Sequence, residues 1–138
     1  MNINESLRDW IESNQPTYPA LDGVTLVTMG ETDDLAPPFL GIYETGSSLH
    51  ETEGVIMPGV SDFQITCELH TVPADDGTSA DDERSMRRDI YDILGDRFAI
   101  DWMSERNGWR IFDIRMSSPT TEASEGRRIS RWILQIVA

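Results

Sequence analysis

Between residues 63 and 70 the chain alternates strictly: Phe63, Ile65, Cys67 and Leu69 are apolar, while Gln64, Thr66, Glu68 and His70 are polar. Successive side chains of a strand point to opposite faces, so this segment reads as a β-strand with one face in a core and the other in a wetter place. The chain is thereby committed to a sheet that something must cover. Residues Ala80 to Leu94 supply a cover, because Met86, Ile90, Ile93 and Leu94 fall at i, i+4, i+7 and i+8, one apolar stripe of a helix. Asp81, Asp82 and Glu83 crowd the first turn, where the macrodipole favours anions. A turn over Pro73–Gly77, an N-cap at Ser79 and closure at Gly95 complete the expected unit.

The remaining elements are read by the same rules. Leu7, Trp10 and Ile11 predict a short N-terminal helix, capped by Asn4 or Ser6 and ended by Pro16 and Pro19. Val24–Met29 and Phe39–Thr45 read as extended runs on either side of an acidic turn, Gly30–Asp34. Gly46–Val60 has no period and reads as an exposed loop. Phe98–Met103 reads as a short strand, Asn107-Gly108 as a hairpin turn and Trp109–Met116 as the return strand. In that return Trp109 and Ile111 lie in one phase and Phe112, Ile114 and Met116 in the other, which predicts a bulge or a strand covered on both faces. Ser117–Glu125 reads as a loop. Arg127–Val137 reads as a final strand, apolar on both faces as a central strand is. The expected order is α-β-β-β-α-β-β-β. It describes one α+β domain over residues 1–138: a mainly antiparallel sheet packed against one main helix, with a short N-terminal helix.

Composition narrows the function classes. Eleven basic and twenty-five acidic side chains leave a net charge of −14, and every basic residue is arginine. Single-sign charge keeps a protein soluble but strains its compact state, and salt relieves the strain by shortening the Debye length to about 3 Å at 1 M. An acidic, lysine-free chain therefore points to a salt-rich setting or to drift in a GC-rich genome, and it suits phosphate gripping poorly. No apolar run approaches the ~20 residues of a membrane helix. The start, Met1 to Ser6, has neither a positive nor a greasy stretch, so no secretory signal is expected.

Catalytic and metal signatures are sparse. Cys67 and His70 form a C-x-x-H pair, but their odd offset on a strand sends them to opposite faces, Cys67 to the core and His70 to the rim. His50 is the other histidine, beside Ser47 and Ser48 but outside any triad context. The acidic stretch from Asp75-Asp76 to Asp81-Asp82-Glu83 lacks the glycine and glutamate of an EF-hand loop. Without lysine there is neither a Walker lysine nor a Schiff base, and no G-x-S-x-G or G-x-G-x-x-G occurs. We therefore expect no enzyme, cofactor or metal. Arginine placement is more suggestive. Arg84, Arg87 and Arg88 fall on the polar side of the main helix, with Glu83 and Arg87 at pairing distance, and Arg127, Arg128 and Arg131 open the last strand. Arginine forks engage carboxylates bidentately, so Arg84, Arg88, Arg127, Arg128 and Arg131 are candidates for a contact with a like subunit, closing head to tail into a ring.

Three segments carry a family resemblance: the strand Phe63–Leu69, the acid-opened helix Asp81–Leu94, and, after the hairpin at Asn107-Gly108, the run Gly126-Arg127-Arg128-Ile129-Ser130-Arg131-Trp132-Ile133-Leu134-Gln135-Ile136-Val137. In layout this C-terminal half resembles the tail terminator (tail completion, or tail-to-head joining) proteins of long-tailed bacteriophages and archaeal tailed viruses, with the helix around Trp10 matching their N-terminal helix. The resemblance implies a virion protein, assembled in the cytoplasm of a salt-loving host, that forms a hexameric ring at the head–tail junction. Such a ring caps the tail-tube protein and meets a head-closure or adaptor protein, while DNA passes through an acidic lumen without sticking. The loop candidates for contacts with neighbouring rings are Ser47, His50 and Glu51 in the first long loop and Thr120 and Glu122 in the second. The alternatives are a head-closure, adaptor or tail-tube protein of the same virion, or a small halophilic enzyme or ligand-binding α+β domain.

Overall fold

The computed structural model describes residues 2–29, 35–72, 80–124 and 126–138. Helix α1 spans Ile3–Asn14 and is followed by two 3-10 turns, Gln15–Thr17 and Pro19–Leu21. Strands β1 (Thr25–Val27), β2 (Phe39–Thr52) and β3 (Val55–Thr71) come next, then helices α2 (Ala80–Leu94) and α3 (Phe98–Asn107). Strands β4 (Asp113–Met116), β5 (Thr120–Ser124) and β6 (Arg127–Val137) close the chain. The fold is α+β, with a mixed and mostly antiparallel sheet ordered β1-β2-β3-β6-β4, in which β5 also pairs with β6. The turns expected at Gly30–Asp34 and Pro73–Gly77, the Ser79 cap and the Asp75-Asp76 pair lie outside the described residues.

Alternation places the core where the sequence indicated. Ile65, Cys67 and Leu69 of β3 and Trp132, Leu134 and Ile136 of β6 are buried on one face, together with Leu40 and Ile42 of β2. Against them pack Ile90, Ile93 and Leu94 of α2 and Ile3, Leu7, Trp10 and Ile11 of α1. The Trp10 indole N–H donates to the Ile93 carbonyl at 2.9 Å, locking the two helices together. Asn4 and Ser6 do not cap α1; both are buried. Asn4 Nδ2 donates to the Ile42 carbonyl (3.2 Å) and the Thr28 carbonyl (3.1 Å), which pins the helix to the sheet. The N-cap is Asn2, whose N–H reaches Glu5 Oε2 at 2.9 Å in the reciprocal arrangement of a capping box.

Five expectations change. Phe98–Met103 is helical, part of α3, and Asn107-Gly108 ends that helix instead of turning a hairpin. Gly108 takes φ 73°, and its N–H donates to the Ser104 carbonyl at 3.0 Å. Asn-Gly supplies left-handed backbone equally well to a helix terminus and to a type I′ turn, so the dipeptide alone does not distinguish them. The phase break between Ile111 and Phe112 follows: residues 109–112 leave a helix as irregular chain, and only Asp113–Met116 pair with β6. The loop at Ser117–Glu125 contains β5. With β4 it makes one interrupted edge strand, bridged at Ser117, whose N–H donates to the Ile133 carbonyl and whose hydroxyl accepts from the Ile133 N–H. The loop at Gly46–Val60 is the distal half of a long β2–β3 hairpin.

Trp132 is buried at the centre of the core, edge-on to the Tyr91 ring (centroids 5.3 Å apart). Replacing a core tryptophan by alanine removes both its burial and the packing around it, so Trp132→Ala is expected to cost about 3–5 kcal/mol, read from chemical denaturation midpoints in molar salt. A loss below about 1 kcal/mol would mean the core is arranged differently.

Candidate functional site

The helices cover one face of the sheet; the other carries no helix among the described residues, although its end at Phe39, His70 and Ile129 is buried. Register aligns the open face in rows across β2, β3 and β6: Phe39, His70 and Ile129, then Gly41, Glu68 and Arg131. In the first row the Phe39 and His70 rings stack at 4.2 Å, with the Arg127 guanidinium 5.8 Å from the Phe39 centroid. His70 is therefore not a rim residue; it is 7% exposed. Its Nδ1 meets no hydrogen-bond partner among the described residues, and its Nε2 lies 3.7 Å from Glu68 Oε2. Burial pushes the imidazole below its ordinary pKa, and the Arg127 and Arg131 charges push the same way; only Glu68 opposes them.

The second row engages the candidate interface arginine within its own chain. Arg131 Nε donates to Glu68 Oε2 at 2.8 Å and Nη1 to Glu122 Oε1 at 2.6 Å. The Glu122 hydrogen bond, with Glu68 beside it, outweighs desolvation and holds the guanidinium more firmly protonated than usual. Arg127 Nη2 donates to the Leu35 carbonyl at 3.0 Å. Reversing charge at Arg127 or Arg131 would thus disturb the folded chain before it tested any interface. Arg128 is half-buried, and its carbonyl accepts from the Thr71 hydroxyl at 3.5 Å. Thr120 is exposed and pairs with Arg131 along the β5–β6 ladder.

On the helix layer, Arg84 lies 3.3 Å from Asp81 and Arg88 lies 4.0 Å from Asp89, both exposed. Glu83 is buried, where its Oε1 accepts from the Ser130 hydroxyl (2.9 Å) and from Arg87 (3.2 Å), tying α2 to β6. The five candidate arginines accordingly do not converge: Arg84 and Arg88 belong to the helical layer, whereas Arg131 projects from the opposite face.

The feature that sequence patterning missed is the β2–β3 arm. From Leu49 to Ser61 the hairpin runs beyond the span that β6 covers, because β6 pairs with β3 only over Asp62–Thr71. Glu53 and Gly54 at its tip take φ 52° and 79°, the type I′ pattern. Between Leu49↔Ser61 and Glu51↔Ile56 one residue, His50, faces a bulge of four, Met57 to Val60. Pro58 has no N–H to pair there, and Gly59 takes φ 81°. His50 spans the irregularity: Nδ1 is 2.8 Å from Asp62 Oδ1, and Nε2 is 3.1 Å from Thr52 Oγ1. Ser47, at the base of the arm, and Glu51, on it, are exposed. So are Leu49 (56%), Val55 (65%), Ile56 (53%) and Met57 (45%), a concentration of apolar surface at one protruding tip. The sequence signal was Val55-Ile56-Met57 after a Glu-Gly turn, masked because neither face of the arm is buried and no alternation arises.

Chemistry-bearing groups are otherwise dispersed. Cys67 is fully enclosed and its thiol pKa is pushed far up by burial, the opposite of a reactive thiolate. Among the described residues no three His, Cys, Asp or Glu side chains converge to hold a metal, and no helix is long and apolar enough to cross a membrane. Two open clefts flank β4. One, of about 340 Å³, is lined by His50, Asp62, Phe112 and Arg115; the other, of about 440 Å³, lies between β4 and the α2–α3 junction. No protein-family model matches the chain, and no curated protein matches it at a significant level.

His70 generates a pH prediction. Its folded pKa lies below the unfolded value of 6.5, so at lower pH the unfolded chain takes up a proton that the folded chain refuses. Stability should fall as pH drops through 6.5 and level off once the folded value is passed. His70→Phe, which keeps a ring on Phe39, should flatten this part of the profile in thermal melts at fixed ionic strength. An unchanged slope would exclude His70 as its source.

Proposed function

We propose that this protein is a structural subunit of a tailed virus, forming a ring of its own copies at the head–tail junction. In this reading the ring, hexameric by resemblance, caps the tail tube and joins it to a head-closure or adaptor protein, with DNA passing through its lumen. The observation that carries the reading is the arm. An isolated two-stranded ribbon is marginal in water, so an exposed arm with an apolar tip is built to be covered by another protein. The layout behind the resemblance changes in one part, since Asn107-Gly108 ends a helix. The strand, the acid-opened helix and the Arg-opened last strand keep their order.

The charge supports a conduit. A net charge of −14 without lysine repels phosphate backbones, so DNA would slide past without being gripped. It also supports a salt-rich host, because self-repulsion on this scale is relieved by screening. A head-closure, adaptor or tail-tube role in the same virion rests on the same features. An enzymatic or ligand-binding role could sit in a cleft such as the one of about 440 Å³ at the α2–α3 junction, where Asp96, Arg97 and Asp101 are the charged groups on the helix side.

Light scattering and negative-stain imaging in molar salt test the ring. The expected particle is an annulus with several times the 15.6 kDa chain mass. A monomer at every concentration, or turnover of a small molecule, would overturn the proposal. Thermal midpoints should also rise as sodium chloride increases from about 0.1 M to about 2 M, as repulsion is screened. A falling midpoint would remove the argument for a salt-loving host.

A further inference from the structure

We propose that the sheet face without helices carries a binding site for a neutral oligosaccharide, in a trough that crosses the strands from β2 to β4 beside the base of the arm. The inference goes beyond the ring reading and does not depend on it.

Two clefts that share Asp62 and Gln135 make the trough. One, of about 330 Å³, lies over Gly46, Ser48 and Gln64; the other, of about 340 Å³, lies over His50, Phe112, Asp113 and Arg115. Register explains the juxtaposition, because it sets two neighbouring rows across four strands. They are Ser48, Asp62, Val137 and Asp113, then Gly46, Gln64, Gln135 and Arg115. Three strand spacings give the trough a length of about 14 Å. Gly46 keeps one end open: a Cβ there would meet nothing nearer than Gln64 Cβ, at 3.9 Å. Phe112, 57% exposed, walls the other end.

The lining selects the chemistry of the occupant. Of the whole chain 26% is charged, yet residues 45–49, 63–67 and 132–138 carry no charge, and these segments form the floor. Charge depletion within a charged surface marks a contact site. The side chains of Ser48, Gln64 and Gln135 are exposed and have no hydrogen-bond partner among the described residues, so a hydroxyl and two amides are on offer. Asp62 keeps one oxygen beyond the one held by His50 at 2.8 Å, and Asp113 one beyond that held by Arg115 Nε at 2.7 Å. Two carboxylates against one guanidinium turn away phosphate and sulfate, while His50 and Arg115 already engage the carboxylates that a cation would seek. An apolar segment would strip water from these amides and carboxylates without replacing their hydrogen bonds. A neutral pyranose chain satisfies all three conditions. Its hydroxyls donate to the carboxylates and accept from the amides and the Arg115 terminal nitrogens, and its C–H face lies on the Phe112 ring.

Isothermal titration of the full chain tests the site, with maltohexaose, cellohexaose and chitohexaose as neutral probes and a chitosan hexamer and a heparin hexasaccharide as charged ones. At least one neutral probe should bind, with an affinity that changes less than about threefold between about 0.1 M and about 1 M sodium chloride. Gln64→Ala with Gln135→Ala removes two exposed amides, and Gly46→Gln fills the open end; circular dichroism checks that both variants fold. Each should weaken binding by more than about tenfold and leave the assembly mass unchanged. Binding of none of the neutral probes, or tighter binding of either charged one, overturns the proposal. So does wild-type affinity in both folded variants, which would put the sugar elsewhere. If the variants lose assembly mass and keep their affinity for sugar, the trough is a contact between subunits and the proposal is overturned. A wild-type chain that binds a neutral probe at this site and stays single in molar salt would sink the ring reading alone.

Discussion

The antiparallel pairing of Asp62–Thr71 with Arg128–Val137 is the interaction on which the rest of the molecule depends. A slip of one residue would turn Ile65, Cys67 and Leu69 to the open face and leave Trp132, Leu134 and Ile136 opposite polar groups, so burial holds the register tightly. With that ladder in place, β2 adds on one side, the interrupted β4–β5 edge adds on the other, and α1 and α2 have one apolar surface to cover. The same register sets the rows of the open face. Glu68 lies beside Arg131, and His70 beside Phe39, because strand pairing put them there.

One-sided cover produces the asymmetry that matters for function. Helices bury the core face, and the other carries ion pairs and a buried, stacked Phe–His pair, with no helix on it among the described residues. Beyond Asp62 the sheet narrows to two strands, and there the apolar side chains have nothing to pack on. A chain with this much negative charge would gain solubility from polar residues at such a tip, yet it places Val55, Ile56 and Met57 there. That localised apolar exposure is what the proposed contact role rests on.

Legibility in the sequence followed burial. The strand at Phe63–Leu69 and the helix at Ala80–Leu94 were readable because each has one buried and one wet face, which imprints a period of two or of 3.6. Helix α3 was not: Phe98 is exposed while Ala99 and Met103 are buried, and Trp102 is half-covered, so no stripe marks it. Strand β5 (Thr120–Ser124) pairs along an edge where its described side chains stay exposed, and polar residues with no buried face read as a loop. The arm hid for the same reason, although the apolar run after its Glu-Gly turn was present to be seen.

From the residues alone came the α+β class, the central place of the last strand, the single-sign charge and the isolation of Cys67 from His70, since each is a matter of local periodicity or plain counting. Only the tertiary structure decided which carboxylates Arg131 engages, that His70 is buried against Phe39, and that residues 49–61 stand out as an arm. Those outcomes depend on pairing between residues far apart in the chain, and neither a propensity nor a spacing encodes which distant strand ends first.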